Sequence, residues 1–108
     1  MQTGDIVLID FPYTSLIESK IRPEVVVNIT NDKFKDVIIC LISSIIPGNI
    51  NKQEILLDPD STNNLRSVSI IKVYRVATVK TSFVISVIGK LRKDALKDFK
   101  EIFKTLVD

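Results

Sequence analysis

The hydrophobic period of this chain changes once, near residue 90, and that change restricts its fold more than any other feature. Before it, apolar residues come in short runs rich in valine and isoleucine. "DIVLIDF" (5–11), "PEVVVNIT" (23–30), "DVIICLISS" (36–44), "QEILL" (53–57), "SVSIIKVYRVATV" (67–79) and "SFVISVIG" (82–89) each read as a strand. "NDK" (31–33), "PGN" (47–49) and "DPDSTNN" (58–64) supply turn chemistry between them, and Pro12 opens a longer loop. "KT", before the last run, is poor hairpin chemistry and leaves that boundary open. The run at 36–44 is nearly continuous in apolar residues, as in a strand buried on both faces. After the change, apolar residues fall at 91, 95, 96, 99, 102, 103, 106 and 107, which is helical spacing with one wide apolar face. The expectation is one mainly β (α+β) domain over 1–108. It is a small twisted barrel-like sheet of five or six strands, capped by a C-terminal amphipathic helix.

Composition narrows the function classes. The net charge is only +2, from 15 basic and 13 acidic side chains, so no broad basic field announces nucleic acid. Lys93, Lys97, Lys100 and Lys104 fill the polar face of the helix, but Asp94, Asp98 and Glu101 interleave with them, which reads as a solvated face. The helix start "GKLRKD" lacks a Ser or Thr cap. Cys40 is the only cysteine and cannot form an internal disulfide, which favours a reducing compartment. The N-terminus is acidic and lacks a signal-peptide layout. The longest apolar stretch, 37–46, is too short to span a bilayer. A soluble, cytoplasmic protein is expected. The apolar third strand and the helix offer more hydrophobic surface than one small domain need bury, which points to a homodimer.

Much familiar chemistry is missing. There is no histidine, so Ser-His-Asp and Cys-His machinery is out of reach. Gly4, Gly48 and Gly89 are the only glycines, and none builds a phosphate-binding loop. "DPD" (58–60) can bind a hard cation but is commoner as a turn; no metal and no cofactor is expected. Any catalysis then falls to Arg, Lys, Ser, Thr, Tyr or a carboxylate.

One stretch stands out against that list. In "SKIRPEVVV" (19–27), Arg22 precedes a proline that biases it to extended backbone, and a valine-rich strand follows. Arg22 reads either as a strand-edge surface charge or as a guanidinium held on a rigid element for a ligand. Ser43 and Ser44, where the third strand ends, read either as a polar strand end bonding its own backbone or as functional hydroxyls.

Taken together, "GDIVLIDFPYT", "KIRPEVVV", "CLISS", "SIIKVYRVATV" and "IGKL" before an amphipathic helix resemble the MazF/PemK family of toxin endoribonucleases from bacterial toxin–antitoxin systems. The resemblance runs from residue 4 to residue 107. It implies an SH3-like barrel of the MazF/PemK/CcdB type, usually homodimeric, that cleaves single-stranded RNA without a metal and is neutralised by an antitoxin protein. The arginine of the "RP" motif and a hydroxyl at the end of the third strand carry the family's chemistry. Those positions are Arg22 and Ser43 here, with Ser44 one step away in register. The loop 12–21 is implied to hold RNA and to move when antitoxin binds. Glu18 lies in it, one position from the acidic residue that some members carry. Tyr13 and Lys20 are candidate RNA contacts through base stacking and phosphate binding, and Phe11 fits the core better. Arg66 and Lys72 can widen a basic groove. Two alternatives share the superfold: a CcdB-like toxin that binds DNA gyrase and cuts nothing, and a degenerate, non-catalytic binding domain.

Overall fold

The computed structural model describes residues 1–11 and 20–107, the side chain of Lys20 aside. Six strands and one helix follow in order: β1 Asp5–Phe11, β2 Lys20–Ile29, β3 Val37–Ser43, β4 Glu54–Leu57, β5 Ser69–Val79, β6 Val84–Lys90 and α1 Lys93–Thr105. The fold is mainly β with a C-terminal helix, as the change of period implies. All strands join one antiparallel sheet in the order β4-β5-β3-β2-β1-β6.

Each sequence-read strand is present, with shifted edges. β2 starts at Lys20, three residues before the apolar run, because Lys20, Ile21 and Arg22 pair with Phe11, Asp10 and Ile9 of β1. Backbone pairing there extends the strand through charged residues that carry no strand signal. "KT" leads into a short 3-10 turn, Thr81–Phe83, in place of a tight hairpin. The β2–β3 connection is held by polar side chains. Asp32 Oδ1 accepts the Thr30 hydroxyl at 2.8 Å and the Phe34 and Lys35 N–H groups at 3.1 and 3.2 Å. These bonds, led by the Thr30 hydroxyl, hold the Asp32 carboxyl below its usual pKa.

The sheet carries apolar clusters on both faces. Ile6, Val25, Cys40, Ile42, Ile71 and Val73 form one, roofed by Leu91 and Phe99. Val7, Ile9, Val26, Val37 and Ile39 form the other. β3 feeds both, which accounts for its continuous apolar run. The helix lays most of its apolar stripe on the first cluster: Phe99 is fully buried, and Ala95, Leu96, Ile102, Phe103 and Leu106 pack around it. The helix keeps partly exposed apolar residues, Ile102, Phe103 and Leu106, with exposed Val107 just beyond it. Its four lysines stand exposed among exposed Asp94, Asp98 and Glu101. Arg92 occupies the N-cap without a side-chain cap bond. No helix among the described residues is long and apolar enough to cross a membrane.

Two close approaches join the sheet's ends. Gly4, at φ +91°, donates its N–H to Val26 O and accepts from Leu91 N–H, both at 2.8 Å, so the chain passes close under the helix start. The turn at 58–64 leans on β6. Lys90 N–H donates to Thr62 O at 3.0 Å and Asn64 Nδ2 to Ile88 O at 2.6 Å. Within that turn Asp60 Oδ1 accepts the N–H groups of Thr62 and Asn63, so the "DPD" carboxylate serves as a turn brace.

Candidate active site

Arg22 is the third residue of β2 and is exposed. Pro23 follows where β2 is paired to β1 but its ladder to β3 has not begun, a place where a missing N–H is tolerated. The β2–β3 ladder then runs Glu24↔Leu41, Val25↔Cys40, Val26↔Ile39. Carried two residues outward, the same register sets Arg22 abreast of Ser43. Cross-strand partners share a face, and positions two apart in a strand share it too. Arg22, Glu24, Leu41 and Ser43 therefore lie on one face. Lys72, half-buried, joins them from β5 as the partner of Leu41.

Ser43 ends β3, half-buried, and its Oγ accepts the Ile45 N–H at 3.1 Å. Bonding to its own backbone braces the strand end, and among the described residues the hydroxyl hydrogen has no acceptor and can donate. Ser44 is exposed in the bend beyond the strand and has no place in the ladder. Arg66 is exposed in the connection before β5, outside the sheet. Phe11 closes β1 and packs on the second cluster, on the core side of the two readings. Lys20 opens β2 opposite Phe11. Tyr13 and Glu18 lie outside the described residues.

The sequence reading missed Glu24. It is fully buried, and among the described residues neither carboxylate oxygen has a hydrogen-bond partner. Burial pushes its pKa up to about 8; the nearby Ile42 amide and the Arg22 charge pull the other way and lose. The Ile42 N–H favours the anion by proximity but falls short of hydrogen-bond geometry. Glu24 forms part of a pocket of about 210 Å³ whose described walls include Phe11, Ile39, Leu41, Arg75, Val76 and Ala77. A charged residue directly after "RP" and directly before a valine run was the available signal. Behind it, Cys40 is buried and donates its thiol to Val73 O at 3.3 Å. Burial first, then the charge of Glu24, pushes that thiol up to about 12, so it stays protonated and unreactive.

What the chain resembles can now be set beside this geometry. Residues 2–107 match the family described as PemK-like, MazF-like toxin of type II toxin–antitoxin system. A comparison with curated proteins gives no match. Among solved structures, one described as an endoribonuclease in complex with its cognate antitoxin from Mycobacterial species is similar at TM-score 0.73 and 12% identity, over 99% of this chain and 94% of that one. The Mycobacterium tuberculosis toxin MazF-mt6 is similar at TM-score 0.69 and 17% identity, over 96% of each chain. Both likenesses concern the fold. With the family matched over nearly its whole length, this chain belongs to the PemK-like, MazF-like toxins of type II toxin–antitoxin systems.

Proposed function

We propose that this chain is a toxin that cleaves single-stranded RNA, with Arg22 and Ser43 at the scissile phosphate. The observation that carries the reading is the β2–β3 register Glu24↔Leu41, which, carried two residues outward, brings the exposed Arg22 level with Ser43 on one face. Family membership supports it, as does the endoribonuclease description of a similar structure.

The chemistry follows from these two groups. The 2′-oxygen attacks phosphorus, its proton passes to water, the P–O5′ bond breaks and O5′ takes up a proton. The products are a 2′,3′-cyclic phosphate and a 5′-hydroxyl. Arg22 neutralises the charge that grows on the phosphate oxygens, through paired N–H donors. One such donor aimed at developing charge is worth about 3 kcal/mol. That supplies without a metal what the step most needs. Ser43 donates its free hydroxyl hydrogen to a phosphate oxygen or to the attacking group. Lys72 stands on the same face to hold RNA. Lys20, Tyr13, Arg66 and the loop 12–21 complete the contacts in this reading. A cognate antitoxin covers the same groove with an acidic segment, and the toxin acts as a cytoplasmic homodimer.

The test is incubation with end-labelled single-stranded RNA in EDTA, with end groups mapped. Cleavage leaving 2′,3′-cyclic phosphate is expected. Activity lost in EDTA and restored by magnesium would refute the metal-free step. Absence of cleavage with tight binding to DNA gyrase would place the chain with the non-catalytic toxins.

A further inference from the structure

Glu24 is a buried carboxyl whose oxygens have no hydrogen-bond partner among the described residues, a costly arrangement that folded proteins rarely leave without a use. Its surroundings are specific. From β1 it faces Val7, its cross-strand partner, and from β3 Leu41. The titratable and charged groups around it are few among the described residues. Lys72 sits across Leu41 on β5, and Arg75 contributes to the pocket from the same strand. The Cys40 thiol feels the charge of Glu24 from the neighbouring position on β3. Arg22 lies two positions back on the same strand and face, about 7 Å along the backbone. Among the described residues neither Arg22 nor Arg75 forms an ion pair with Glu24. The Arg75 guanidinium lies over the Tyr74 ring, 5.9 Å from its centre. Arg22 is the cation whose charge acts on Glu24, and its side chain is long enough to fold back over two residues.

Resting on the reading of Arg22 as the phosphate ligand, we propose that Glu24 is a positioning residue for it. While the Glu24 carboxyl is neutral, the guanidinium stays turned to solvent and open to RNA. When the carboxyl ionises, a buried anion with only the nearby Ile42 N–H to offset it draws the guanidinium back onto itself, and the phosphate site loses its cation. Activity of this site is thereby tied to the protonation of a group that never touches substrate. A proton-accepting role for Glu24 has the opposite pH sign, since cleavage would then rise as the carboxyl ionised.

The experiment compares parent and Glu24→Gln in single-turnover RNA cleavage from pH 6 to 9. Binding of a non-cleavable 2′-deoxy analogue and the side-chain Nε signal of Arg22 by NMR are followed over the same range. With the carboxyl titrating near 8, the parent's rate and affinity relative to Glu24→Gln fall about tenfold between pH 7 and 9. The Arg22 signal of the RNA-free parent shifts across that range, and that of Glu24→Gln does not. Parallel profiles in parent and variant, or an Arg22 signal that stays put in the parent, overturn the proposal. So does a rise in cleavage with pH that Glu24→Gln abolishes. If no RNA is cut at any pH, the nuclease reading fails while the NMR titration still decides the switch. If Glu24→Gln does not fold, the parent's Arg22 signal decides it alone.

Discussion

At Arg22 the chain places a permanent charge inside a strand and leaves it exposed. Its loss opens no cavity, so Arg22→Ala is expected to shift stability by about 0.5 kcal/mol or less. Cleavage should fall on the order of 100-fold, the effect of one charge-stabilising donor. Arg22→Lys should recover little, because an ammonium cannot present the paired fork. Ser43→Ala should slow cleavage and Ser44→Ala much less, since only Ser43 shares the register. Single-turnover rates beside melting curves check the set, and parent-level cutting by Arg22→Ala would make Arg22 a surface charge. Glu24 belongs to stability as well. Unfolded, it ionises near 4.5; folded, only near 8. Between those values the folded chain keeps a proton that the unfolded chain has released. Its stability therefore falls as pH rises through that window and levels off above it, by roughly 5 kcal/mol at the full extent. Urea unfolding from pH 4 to 9 should show this slope in the parent and lose it in Glu24→Gln; equal slopes would show that Glu24 titrates normally. Arg22 and the Ser43–Ser44 pair became candidates because a motif singles them out. Glu24 did not, because β2 lacks a polar–apolar alternation that would mark which way its one carboxylate faces.

The strands were legible as β-branched runs, and their order was not. Nothing local in "DIVLIDF" or "SFVISVIG" says that these two segments pair, yet Asp5 meets Lys90 and Ile6 meets Gly89. The β6 edge shows why Gly89 matters. A Cβ there would stand 2.5 Å from Thr62 O and 2.7 Å from Asn63 O, both backbone atoms that cannot swing aside. Gly89→Ala should therefore prise the 58–64 turn from β6 and cost about 1–3 kcal/mol, the usual range for forced overpacking. A melting temperature equal to the parent's would show that the turn yields freely. The helix was the most legible element, since its period, its lysine face and its missing side-chain cap could all be read directly from residues 90–107.

For the whole molecule, much of the exposed apolar surface among the described residues lies away from the helix. Ile45, Ile46 and Ile50 are exposed in the connection from β3 to β4, as are Val76 on β5 and Ile85 and Val87 on β6. This surface now carries the expectation of a homodimer. Sedimentation at micromolar protein should give the dimer mass, and a clean monomer would contradict it.

The pairing of the first strand with the last also bears on time. β1 is flanked by β2 and β6, and β6 is the final strand made. During synthesis, β1 keeps an open hydrogen-bonding edge until residues 84–90 arrive, and the first core stays unroofed until the helix follows. Long-range pairing of this kind makes completion of the sheet wait on residues 84–90. A chain that stops short of residue 84 therefore exposes an unpaired β1 edge and an unroofed core, the kind of surface that recruits other strands instead of closing on itself.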